Sequence, residues 1–281
     1  MAILRLADAD IFYERMGSGQ PAFVLVHGGL CDHHDWDRLI GVLAPHHAVV
    51  THDLRAHGLS SGMISTFCVE CCASDLNALV DALEIAPALL IGHSFAARVV
   101  AEAARQRPDN AAGVVLLDGS RAYGGSVADG TAAGPMPASA AAAIEATIGP
   151  RLEDPDRARV LATMSAAPPE RMAACVRAME AWDRERADAV FTELPSDLPV
   201  LAIQSTYHDR ATPRRSLTPE DKDTPYLDFL RRTLFNLAVR IVPDSGHFCM
   251  IERPAEIAAL LLGFADSVRQ STATQKKGAT A

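Results

Sequence analysis

Three side chains far apart in the chain have the types and the order that acyl transfer needs. Ser94 stands in Gly92-His93-Ser94-Phe95-Ala96, a G-x-S-x-A pattern between an apolar run and an Ala-rich stretch. A serine on a strand–turn–helix bend of this kind tolerates only small residues two places before and after it, hence Gly92 and the minimal Ala96. Its hydroxyl is lifted to a helix N-terminus, where backbone N–H groups point outward. His247, in Gly246-His247-Phe248 after the last apolar run, offers a neutral imidazole able to take the serine proton at pH 7. Two residues are candidates for the acid that orients it. Asp118 directly ends the run Val114–Leu117, and Asp209 follows the run Val200–Ile203; both keep the order nucleophile, acid, histidine. The backbone N–H groups of Phe95 and Gly29 are the expected oxyanion donors, each worth about 3–4 kcal/mol in such sites. Trp36, His93 and Trp182 are expected to bind substrate.

Elements must bring these residues together. Short apolar runs, too short for helices, end in polar punctuation: Ala22–Val26 before His27-Gly28-Gly29, Ala48–Thr51 before His52-Asp53, Ala88–Ile91 before Gly92, Gly113–Leu117 before Asp118. Val200–Ile203 and Ala238–Val242 complete the set, and Ile3–Leu6 with Asp10–Arg15 read as two leading strands. Helical patterns at Ser74–Leu83, Ala96–Gln106 and Pro254–Val268 alternate with them. Such alternation predicts an α/β fold: a mostly parallel, doubly wound sheet of about eight strands. Ligands in these sheets bind beyond the carboxyl ends of the strands, where the polar residues collect here. Residues 121–196 break the alternation. Their Gly/Ala/Ser/Pro-rich opening (Gly124–Ala141) and the helical stretches at Asp156–Met164 and Pro169–Arg186 read as an inserted helical cap, its first part alternatively a disordered linker. The division is a core over 1–120 and 197–268, a cap over 121–196 and a flexible tail over 269–281. Met136, Met164, Met172, Met179 and Trp182 supply the cap with a pliable apolar lining or with its own core, and Tyr207 and His208 with an entrance.

Composition narrows the function class. The 281 residues carry 26 Lys+Arg against 35 Asp+Glu, a net charge of −9, which disfavours binding to nucleic acid or to an anionic membrane. No apolar run approaches the ~20 residues that cross a bilayer, and the first ten residues carry acids where a signal peptide needs an apolar core. A cytoplasmic protein acting on a small molecule is expected, with a homodimer possible. Cys68, Cys71 and Cys72 fall on one face of a predicted helix and read as thiols packed on the sheet. Asp32-His33-His34-Asp35 is too crowded along one loop to converge on an ion, so no metal is expected.

With those residues in place, the chain resembles the α/β-hydrolase superfamily over roughly residues 3–268. The likeness is carried by His27-Gly28-Gly29 with Trp36 following, by Asp53-Leu54-Arg55-Ala56-His57-Gly58-Leu59-Ser60, by the Ser94 bend and by Gly246-His247-Phe248. It implies a Ser-His-acid site under a helical cap, with no cofactor. Serine at the bend separates the chain from the dehalogenase and epoxide-hydrolase branches, which carry Asp there. Two positions depart from the pattern. Ala96 replaces a second glycine. After Ile203, Ser205 stands for the usual glycine and His208 for the usual acid, with Asp209 one place late. That departure favours Asp118, since a carboxylate at a strand end is held by the sheet. The implied function is hydrolysis of a small, largely apolar ester or lactone. Cys31-Asp32-His33 and a sixth-strand acid give a looser likeness to cofactor-independent, quinolone-cleaving dioxygenases, in which the histidine deprotonates the substrate. A binding module with little turnover is the third reading.

Overall fold

The computed structural model describes residues 1–121, 145, 147–209 and 214–278. Its centre is an eight-stranded sheet in the order β1-β2-β4-β3-β5-β6-β7-β10. The strands are β1 (Ala2–Arg5), β2 (Asp10–Met16), β3 (Phe23–Val26), β4 (Val49–His52), β5 (Ala88–His93), β6 (Ala111–Leu117), β7 (Val200–Gln204) and β10 (Leu237–Ile241). β2 pairs antiparallel with β1 and β4, and every other pairing is parallel. β3, β4, β5 and β7 are buried along their whole length, the mark of strands covered by helices on both faces. All eight match the apolar runs in the sequence, within one or two residues at each end.

Helices α1 (Asp37–Leu43), α2 (Val69–Ala82), α3 (Ala96–Gln106), α7 (Pro225–Thr233), α8 (Cys249–Glu252) and α9 (Pro254–Gly278) belong to the core. Between β6 and β7 run α4 (Asp154–Ser165), α5 (Pro169–Glu185) and α6 (Ala187–Glu193), with no strand among the described residues of that block. Its Gly/Ala-rich opening lies outside the described residues.

Three expectations need correction. The tail expected from residue 269 is helical through Gly278: no proline or glycine interrupts α9 between Pro254 and Gly263, or between Gly263 and Gly278, so the helix continues past its last buried turn. α2 begins five residues before Ser74, because Cys68 caps it and accepts the Cys71 amide at 3.1 Å. Cys68 and Cys71 are also joined in a disulfide, so only Cys72 is the buried thiol expected of that face. The polar stretch after β7, which carries no apolar pattern, folds into the two-stranded ribbon β8 (Thr206–Tyr207) and β9 (Arg215–Ser216).

α3 ties the helices between β6 and β7 to the core. Arg98 grips Asp183 of α5 through two bonds of 2.7 and 2.6 Å, and Trp182 donates from Nε1 to Glu102 at 3.2 Å. Arg98 and Asp183 are both buried, so each charge depends on the other for its solvation.

Candidate active site

Strand register assembles the site. His93 pairs with Leu117, and Leu117 with Ile203, so the residues that follow each strand (Ser94, Asp118 and Ser205) leave the sheet along one edge. Ser94 has φ +55°, the left-handed bend that raises its hydroxyl, and its amide is pinned to Leu117 O at 2.9 Å. Gly92 is required beneath it: a Cβ there would stand 2.1 Å from Ala96 O. Asp118 is itself left-handed, at φ +44°.

The side chains converge. Ser94 Oγ lies 2.7 Å from His247 Nε2, and His247 Nδ1 lies 2.6 Å from Asp118 Oδ2. The amides of Ser205 and Thr206 both donate to Asp118 Oδ1 at 2.8 Å, and Thr206 Oγ1 donates to Oδ2 at 2.7 Å. The loop after β7 therefore supplies hydrogen bonds to an acid that comes from β6. Asp209, the alternative acid, bonds instead to the Tyr207 hydroxyl beyond the ribbon.

The electrostatics follow from burial and pairing. Burial alone would raise the Asp118 carboxyl. The hydrogen bond and charge of His247, the charge of Arg214 and the Thr206 hydroxyl outweigh it and hold the group well below the usual carboxylate range. Burial, reinforced by Arg214, lowers the His247 imidazole, while Asp118 pulls the other way; the ring is neutral near pH 7 and able to accept a proton.

Neither the Gly29 nor the Phe95 amide has an internal acceptor among the described residues. Gly29 leaves the approach open beside Cys175, whose sulfur a Cβ there would meet at 3.7 Å. Two histidines shape that loop: His27 Nε2 accepts from Leu54 N at 3.0 Å, and His57 Nε2 accepts from Leu30 N at 3.2 Å. Asp53 binds both the His33 amide and the His33 ring at 2.8 Å and takes Leu59 N at 2.8 Å, while Asp35 pairs with Arg159 at 3.0 Å. Arg159 also lies 3.9 Å from Asp32, so the two acids share one cation, while His33 goes to Asp53 and His34 to Asp37. Phe67, next to Cys68, stacks on Phe95 with centroids 5.4 Å apart.

A cavity of about 190 Å³ opens over Ser94 and His247, with Gly28, Gly29, Ser120, His208 and Arg214 in its wall and Met164, Met179 and Phe248 as its apolar side. Of the expected substrate-binding residues only His93 reaches it, and its Nε2 is already committed to His247 O at 2.8 Å. Trp36 is fully buried in the core, because the apolar faces of α1 and the sheet close over it. Trp182 is turned away toward Glu102 and Phe191. Sequence reasoning did not find Arg214 or Thr206, which sit in a stretch without periodicity where no spacing marks them. A further contact joins the segment before α4 to His247. His247 N donates to Thr147 O at 3.1 Å, and Gly246 lies so near Gly149 that a Cβ on it would stand 2.2 Å from the Gly149 nitrogen.

A sequence model of the alpha/beta hydrolase family matches residues 23–260. Lipase LipV of Mycobacterium tuberculosis is 36% identical over 118 residues, 42% of this chain and 44% of that protein. The matched stretches span less than half the length of these curated relatives, another being a non-heme chloroperoxidase of Streptomyces lividans, 35% identical over 38% of this chain and 40% of its own. Among solved structures, the N-acyl homoserine lactone-degrading Est816 superposes with TM-score 0.75 at 21% identity, over 94% of this chain and 100% of that one. The enol-lactonase of Burkholderia xenovorans does so with TM-score 0.75 at 20% identity, over 94% and 99%. These likenesses establish the fold.

Proposed function

Because the chain belongs to the alpha/beta hydrolase family, we propose that it is a serine hydrolase that cleaves a small, largely apolar carboxylic ester or lactone through an acyl-enzyme. The observation that carries this reading is the unbroken relay from Ser94 Oγ to His247 Nε2 at 2.7 Å and from His247 Nδ1 to Asp118 at 2.6 Å. Ser94 Oγ attacks the carbonyl carbon as His247 Nε2 takes its proton. Asp118, ionised, fixes the ring tautomer and stabilises the imidazolium. The Gly29 and Phe95 amides receive the negative oxygen. On collapse His247 returns the proton to the leaving alkoxide, which in a lactone stays tethered to the acyl group. Water, deprotonated by the same imidazole, then releases the acid and restores Ser94.

The lactone option draws support from the two lactone-cleaving structural neighbours, and the ester option from the lipase relative. A fluorophosphonate is expected to label Ser94, and Ser94→Ala is expected to lower kcat for p-nitrophenyl acetate by on the order of a million-fold, since members of such a relay act as a unit. Labelling elsewhere, or turnover retained in the Ala variant, refutes the reading. Dioxygen uptake with a hydroxyquinolone and no label on Ser94 would transfer the site to the oxygenase reading.

A further inference from the structure

One cation stands inside the relay and has no part in the chemistry above. The Arg214 guanidinium, just before β9, donates from Nη1 to Thr206 Oγ1 at 2.6 Å and to Asp118 Oδ2 at 3.3 Å. The same Nη1 is 3.2 Å from His247 Nδ1. Since Nδ1 spends its proton on Asp118, that approach is two donors facing one carboxylate, not a bond between them. The Arg214 side chain is only 13% exposed and the Asp118 side chain fully buried, so little water screens the contact.

We propose that Arg214 is a positioning residue: it clamps the Asp118–Thr206 side of the imidazole and sets the pH below which His247 ceases to act as a base. The inference deepens the hydrolase reading and rests on it for its catalytic meaning, although the contact itself does not. When His247 takes the serine proton, one carboxylate faces two adjacent cations. The imidazolium is then stabilised less than in a plain Ser-His-Asp relay, and His247 stays unprotonated to a lower pH. The other groups around the ring act differently. His93, from the end of β5, meets it with centroids 4.6 Å apart but is kept neutral by burial. Burial also holds His208, in the cavity wall, neutral down to about pH 4. Glu252 of α8 is occupied by the Gly246 amide at 3.0 Å. Arg98, whose charge reaches Arg214, is paired with Asp183. Arg214 is therefore the group whose removal changes the charge felt by the base.

The sign of the effect follows. Arg214 lowers the His247 imidazole, so replacing it removes a lowering influence and the acid limb of kcat/KM moves to higher pH. Arg214→Gln is expected to raise that midpoint by about one unit, a tenfold loss below the limb with the plateau much less affected. Arg214→Lys, which keeps a cation, is expected to leave the midpoint nearer the parent's. The His247 ring nitrogens, titrated by NMR in a Ser94→Ala background with and without Arg214→Gln, give the same shift without any turnover. Should Arg214→Gln not fold, Arg214→Met carries the test. A midpoint unchanged or lowered, or a uniform loss at all pH values, overturns the inference. Absent turnover in the parent with the NMR shift intact overturns the hydrolase reading instead.

Discussion

At the scale of single residues, Asp118 has the most to decide. It accepts two amides, a hydroxyl, the imidazole and the Arg214 guanidinium while fully buried, so its charge is held by five named donors. Asp118→Asn preserves the shape but offers the ring an amide that favours the wrong tautomer. A fall in kcat of about 10,000-fold is expected. Asp209→Asn, beyond the ribbon on Tyr207, is expected to stay within about threefold of the parent, a change too small for any member of the relay. The two measured side by side on p-nitrophenyl acetate test the assignment, and equal losses contradict it. Ser94 and His247 were legible because their surroundings are marked: a glycine two places before the serine, and an apolar run before each. The acid was legible only as a pair of alternatives. What separates them is the direction in which the Ser205 and Thr206 amides turn, and no side-chain pattern encodes that. Trp36 and Trp182 misled because a large aromatic near a motif reads equally as pocket or as core, and here packing claimed both.

Among the elements, α3 links everything. It starts at the bend that carries Ser94 and, one turn on, presents Arg98 to Asp183 of α5. Removing one partner of that buried pair strands the other charge. Arg98→Met is expected to lower the unfolding free energy by about 3–5 kcal/mol, read from urea unfolding, whereas Arg98→Met with Asp183→Leu recovers a large part of the loss. No recovery in the double variant would show that the pair contributes packing and not charge. The strands were readable from their apolar runs because β3 to β7 are buried on both faces. The short helices α1 and α7 were not, since seven to nine residues give too little periodicity to separate from loop. The ribbon β8–β9 was invisible for the same reason: two residues a side, both polar, carry no signal of period two.

For the molecule as a whole, the size of the cavity bears on what it takes. At about 190 Å³ it lies below the usual range of ~300–1,000 Å³ for small-molecule pockets. Acetyl and butyryl p-nitrophenyl esters are expected to be turned over, with kcat/KM for the decanoate lower by on the order of 100-fold, since a chain that does not fit forfeits its methylene contacts. A flat profile from acetate to decanoate contradicts a cavity of this size as the limit on the acyl chain. No described helix is long and apolar enough to cross a membrane. The seam between Gly149 and Gly246 reaches further than its size suggests. There two backbones touch with no side chain between them, and Thr147 holds the His247 amide. Anyone grafting foreign helices between β6 and β7 of this scaffold would have to carry those few residues across unchanged, because bulk at that crossing would push His247 out of line with Ser94 and Asp118.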